Sequence, residues 1–137
     1  MEVSKEPKSL LVDVVGGGMC PARLVLEHVT SRWAVLILIA LRERSYRFSE
    51  LRRRVGGVSE KMLTQTLQTL ERDGFVHRDA KAVIPPRVDY SLTALGEEAA
   101  RQVRELARWT DQRVAEVEKA RARYDEARRE TATGSSQ

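Results

Sequence analysis

Few residues in this chain have types and spacing suited to covalent chemistry. Cys20 is the single cysteine in 137 residues, and His28 and His77 are the two histidines. Neither histidine has a second ligand nearby in sequence, and one cysteine gives no metal-ligand spacing. Serine, histidine and aspartate occur in no arrangement suggesting a nucleophile with its base. Gly16-Gly17-Gly18 is not followed by Lys-Ser or Lys-Thr, so it reads as a hinge rather than a phosphate cradle. An enzyme is therefore not expected, nor is a metal or a cofactor. One reactive group remains. Cys20 precedes Pro21, so it stands as the N-cap of a helix, with its sulfur against unpaired N–H groups and the positive dipole end. Arg23 adds a cation one turn in, and both features favour the thiolate that oxidants and electrophiles attack. The plainer alternative is that Cys20 only caps or packs.

A second group of side chains is suited to recognition. Ser59 caps a helix on which Lys61, Thr64, Gln65, Gln68 and Arg72 share one face at 100° per residue. Leu63, Leu67 and Leu70 take the other face. The polar face has donors and acceptors of base-reading type and no carboxylate. Glutamine binds adenine bidentately, and Lys61 can reach a guanine edge or a phosphate. Arg47 and Ser49, at the start of the preceding helix, join this set. Arg78, Lys81 and Arg87 suit phosphate or minor-groove contact. Arg52, Arg53 and Arg54 fit DNA contact and an ordinary solvated face equally well. Charge is distributed accordingly: residues 1–30 sum to −1, residues 31–93 to +5 and residues 94–137 to 0. The basic surplus lies in the middle, where an anionic partner is expected.

The elements that must position these groups follow from periodicity. Residues 1–18 read as a loosely attached arm ending in the glycine triplet. A first helix starts at Pro21, with Leu24, Val25, His28 and Val29 on one face. A second starts after Thr30 or Ser31 and carries Trp33 to Leu41, apolar nearly all round and hence the buried centre. A third helix spans about Phe48 to Val55 and stops at Gly56-Gly57. The fourth runs from Ser59 to Asp73, closed by Gly74. The period then becomes two: Phe75 to Arg78 is a strand, Asp79 to Ile84 a turn, and Arg87 to Leu92 the returning strand. Thr93 caps a long helix from Ala94 to about Glu130. Its seam of Leu95, Ala99, Val103, Leu106, Thr110, Val114, Val117, Ala120 and Tyr124 exceeds what one small domain can cover. Residues 131–137 are small or polar and are expected to be a disordered tail. The division is arm 1–18, DNA-binding domain 19–93, dimerisation helix 94–130 and tail 131–137.

Composition agrees with one compact domain plus a helix: 42% of residues are hydrophobic and 32% charged. The longest apolar stretch, Trp33 to Leu41, is too short to cross a bilayer. No signal peptide is visible, and no membrane partner is expected. The expected location is the cytoplasm, with nucleoid association when bound to DNA.

Three helices and a hairpin are the order of a winged helix-turn-helix, mainly α with a small β-hairpin wing and a long C-terminal dimerisation helix. The motifs sharpen this. Cys20-Pro21, Trp33 with its apolar run, Arg47-Phe48-Ser49-Glu50-Leu51-Arg52-Arg53 and Val58-Ser59-Glu60-Lys61-Met62-Leu63-Thr64-Gln65 resemble the HxlR family of bacterial transcriptional regulators. So do Leu70-Glu71-Arg72-Asp73-Gly74-Phe75-Val76, Pro85-Pro86-Arg87-Val88-Asp89-Tyr90-Ser91-Leu92-Thr93 and Leu95-Gly96. The chain departs from the family pattern at Thr30-Ser31-Arg32, at Thr66 and Gln68, and in the length of its last helix. The resemblance implies a MarR-like homodimer joined by its first and last helices. Leu24, Val103, Leu106, Trp109, Val114 and Val117 are the expected interface residues. The implied partners are a second copy and a pseudo-palindromic DNA duplex, with a small-molecule or electrophile inducer. Some family members with a cysteine before that proline sense oxidants or electrophiles, which is the expectation for Cys20. Two alternatives are a ligand-switched regulator with its inducer at the dimer interface, and a winged-helix protein–protein module.

Overall fold

The computed structural model of the protein describes residues 15–16 and 20–135. The expected arm of residues 1–18 lies almost wholly outside that range. Among the described residues the elements run α1 (Pro21–Val29), α2 (Arg32–Glu43), β1 (Tyr46–Arg47), α3 (Phe48–Val55), α4 (Glu60–Arg72), β2 (Val76–Lys81), β3 (Arg87–Leu92) and α5 (Ala94–Ser135). The chain is mostly helical, with a winged helix-turn-helix at its centre.

Burial explains the order. One side of α2 is lost to the core through Ala34, Ile37, Leu38, Ala40 and Leu41. Leu51 of α3 and Leu63, Leu67 and Leu70 of α4 pack in the same cluster with Phe75, Val76 and Tyr90. A fully buried leucine contributes about 1.5–3 kcal/mol, so the α4 stripe alone fixes which way that helix faces. The turn between α3 and α4 needs positive φ twice, at Gly56 (68°) and Gly57 (77°). Only glycine adopts that conformation without steric cost. Ser59 then caps α4, its Oγ accepting from the Met62 N–H at 3.1 Å.

Four features depart from the sequence reading. The sheet has three strands in the order β1-β3-β2, because the two residues of β1 pair antiparallel with Tyr90 and Asp89. β2 continues to Lys81, through residues expected to turn, since each finds a partner on β3 down to Lys81 opposite Arg87. α5 reaches Ser135, so the expected disordered tail is helical at least that far. Val103, expected at a subunit interface, is 6% exposed and belongs to the protomer's own core.

The described residues form two compact units that divide between Arg104 and Glu105. The first turns of α5 belong to the first unit because they are fastened to the root of the wing. Thr93 donates its N–H to the Phe75 carbonyl at 3.1 Å and its hydroxyl to the Gly74 carbonyl at 2.6 Å. The same hydroxyl accepts from the Gly96 N–H at 2.9 Å, capping α5. No single helix among the described residues is long and apolar enough to cross a membrane.

Candidate nucleic-acid interface

α4 presents the polar face read from the sequence. Lys61, Thr64, Gln65, Gln68 and Arg72 are all exposed, while Leu63, Leu67 and Leu70 are sealed beneath them. Arg47, Ser49 and Ser59 are exposed as well. The face divides between two hollows. Gln65 lines one of about 230 Å3 with Met62 and Thr66, against His28 and Ser31. Thr64 and Gln68 line another of about 340 Å3 with Arg78 of the wing. Glu71 shares this second hollow, so a carboxylate borders the face that the helical projection left free of acids.

The three arginines of α3 separate by partner. Arg52 closes the turn, its Nε donating to the Val58 carbonyl at 3.0 Å and Nη1 to Glu60 at 3.4 Å. Arg54 forks onto Glu43 at 3.0 and 2.6 Å, and the Tyr46 hydroxyl donates to the same carboxylate at 2.7 Å. These two donors hold the Glu43 carboxyl down at about 2, the arginine hydrogen bonds being the larger cause. Arg44 stacks over the Tyr46 ring at 3.8 Å and pairs with Glu50. Arg53, by contrast, has no ion pair among the described residues and lines the turn hollow beside Ser49 and Ser59. Lys61, Arg72 and Arg78 likewise lack an acidic partner there.

The wing differs. Strand alternation puts Arg78 opposite Tyr90 on the face turned to α4. Lys81, Arg87 and Arg47 sit on the other face with Asp79 and Asp89. Lys81 Nζ lies 2.6 Å from Asp79 and 3.9 Å from Asp89, and Arg87 Nε lies 3.0 Å from Asp89. Hydrogen bonding to Lys81 pulls the Asp79 pKa down, and the same contact raises that of Lys81. The sequence reading grouped the three wing cations together; the register separates them.

Cys20 is the N-cap of α1, but its side chain makes no cap hydrogen bond. Arg23 donates to Glu27 at 3.3 Å. The contact expected to favour thiolate is thus not made, and the nearby cation has its own partner. Cys20 is half-buried. His28, two turns along α1, lies 2.5 Å from Asp73 at the end of α4, a link no local pattern announces. Of the expected interface residues other than Val103, Leu24, Leu106, Trp109, Val114 and Val117 are each 40–55% exposed in the protomer.

An exposed polar helix beside a glycine turn and a wing is the arrangement of a winged helix-turn-helix transcriptional regulator. The chain belongs to the HxlR-like helix-turn-helix family, whose model matches residues 28–118. It is 61% identical over 98 residues to YtfH of Escherichia coli K12, an uncharacterised HTH-type transcriptional regulator, covering 72% of this chain and 78% of that one. Among solved structures it resembles the ytfH regulator of Salmonella typhimurium at TM-score 0.74 and 54% identity, covering 78% of this chain and 96% of that one. It also resembles diamide-treated YodB of Bacillus subtilis at TM-score 0.60 and 31% identity, covering 70% and 96%.

Proposed function

We propose that the protein is a homodimer that binds a pseudo-palindromic duplex, with α4 in the major groove. The observation that carries this reading is the exposed face of α4, whose Lys61 and Arg72 lack acidic partners among the described residues. Gln65 and Gln68 read bases, Thr64 and Ser59 support them, and Lys61, Arg47 and Ser49 anchor phosphates. Arg78 reaches DNA from the wing, and Lys81 and Arg87 do so by exchanging their aspartates for phosphate. Residues 19–93 are the DNA-binding part. The exposed Leu106, Trp109, Val114 and Val117 of α5, with Leu24 of α1, meet a second copy.

The experiment is titration of the protein against its own promoter region at several salt concentrations. Binding should weaken steeply with salt, and half-sites should lie about one turn, ~34 Å, apart. Gln65→Ala or Gln68→Ala should relax sequence preference. Absence of salt-dependent binding to any duplex overturns the reading in favour of a protein–protein module.

For the signal, we propose oxidation at Cys20. Diamide would accept two electrons and two protons while two Cys20 thiols, one per subunit, form a disulfide. A small thiol can replace the second. The resemblance to a regulator crystallised after diamide treatment supports this, and the Cys20 thiol is partly exposed. Diamide should alter operator affinity of the native protein and leave Cys20→Ser unchanged. An equal effect on both, or none on either, assigns control to a ligand at the dimer interface instead.

A further inference from the structure

The far end of the wing carries an unusual surface. Between β2 and β3 the chain reads Ala82-Val83-Ile84-Pro85-Pro86. Ile84 is 99% exposed and Val83 51%, so Ile84 packs on none of the described residues and Val83 is half uncovered. Immediately behind it, Lys81 and Arg87 are held by Asp79 and Asp89. The end of the hairpin therefore presents hydrocarbon backed by internally balanced charge.

We propose that Val83-Ile84-Pro85-Pro86 is an apolar wedge that enters the minor groove next to the half-site and opens a base step there. The inference rests on the DNA-binding reading above. Reach supports it: six residues per strand at roughly 3.3 Å each carry the tip about 20 Å from the wing root. The adjacent minor groove lies about half a helical turn, roughly 17 Å, from a helix seated in the major groove. Chemistry supports it too, since isoleucine and proline are side chains that unstack base steps and kink the duplex. Two prolines in sequence stiffen the tip, so little conformational freedom is lost on insertion. The partner is thus a deformable pyrimidine–purine step, TA most of all, flanking each half-site.

The test uses the full-length protein on a promoter duplex labelled at both ends for energy transfer, with affinity measured across salt concentrations. The native protein should shorten the end-to-end distance. Ile84→Ser should lose most of that bend and bind roughly tenfold more weakly. Its salt slope should stay unchanged, because a wedge releases no counterions. Its melting temperature should also stay unchanged, since the side chain is exposed. Ile84→Phe should restore the bend.

Three results overturn the wedge while leaving DNA binding intact. One is a native complex whose duplex stays straight. Another is an Ile84→Ser variant with a shallower salt slope, which would make the tip an electrostatic contact. The third is loss of regulation in cells with unaltered bend and affinity, which assigns the tip to a protein partner. Failure of the native protein to bind any duplex removes both readings together.

Discussion

The helix-turn-helix and the wing use the same residue types to opposite ends. In the helix-turn-helix, Arg52 and Arg54 have structural partners, while Arg53, Lys61 and Arg72 have no acidic partner among the described residues. In the wing, Lys81 and Arg87 are clasped by aspartates, and Arg78 alone of the three turns toward α4 without one. Counting cations gives both regions a claim on the anionic partner. Pairing leaves more cations without an acidic partner on the helix side, among the described residues. A basic surplus in a sequence therefore says that an anion is expected, and the carboxylates brought alongside by folding decide where.

The largest effect that tests this contrast comes from two neighbours on α4. Leu67→Ala removes a side chain only 1% exposed and should cost about 2–5 kcal/mol in chemical denaturation. Gln68→Ala, one residue on and exposed, should stay within about 0.5 kcal/mol while changing base preference. Equal destabilisation by the two would mean that the outer face of α4 is structural, and the division of roles would collapse.

An intermediate effect is expected at the wing root. A Cβ on Gly96 would stand 1.9 Å from the Phe75 carbonyl oxygen, far inside contact distance. Helix propensity favours alanine there by about 1 kcal/mol, whereas forced shifts of packed backbone cost about 1–3 kcal/mol. The backbone oxygen cannot swing aside as a side chain would, so Gly96→Ala should be net destabilising. A raised melting temperature would show that the wing root is loose, and that the wing's placement beside α4 is not fixed by this contact.

Sequence patterns identified the helical side well. α3 and β3 run over the residues expected, and the α4 stripe is buried as the spacing of Leu63, Leu67 and Leu70 implied. Those features are local, since each rests on period, cap or glycine. β1 was invisible because two residues carry no period, and only pairing with Tyr90 and Asp89 makes them a strand. Val103 misled because a seam residue looks the same whether its own domain or a second copy covers it. The fate of Lys81 and Arg87 was half legible: odd numbering puts both with Asp79 and Asp89 on one face, once β2 is known to extend to Lys81.

The smallest expected effect is on acid stability, and it compares a carboxylate on each side. Glu43, under α3, is held at about 2, below its ordinary 4.5, chiefly by Arg54. Asp79 on the wing is also lowered, by Lys81. A carboxylate with a lowered folded-state pKa stabilises the fold above its unfolded value, and the contribution drains away as pH falls through the folded one. For Glu43 that window runs from about 4.5 down to about 2. Both groups are solvated, so each contribution is small. Glu43 should show the larger one, because two arginine hydrogen bonds and the Tyr46 hydroxyl converge on it, whereas Asp79 holds one lysine. Melting temperatures measured from pH 6 to 2 should therefore fall less steeply for Glu43→Gln than for the native chain. Asp79→Asn should follow the native curve more closely. The reverse order would place the stronger clasp on the wing, and with it the stronger restraint on Lys81.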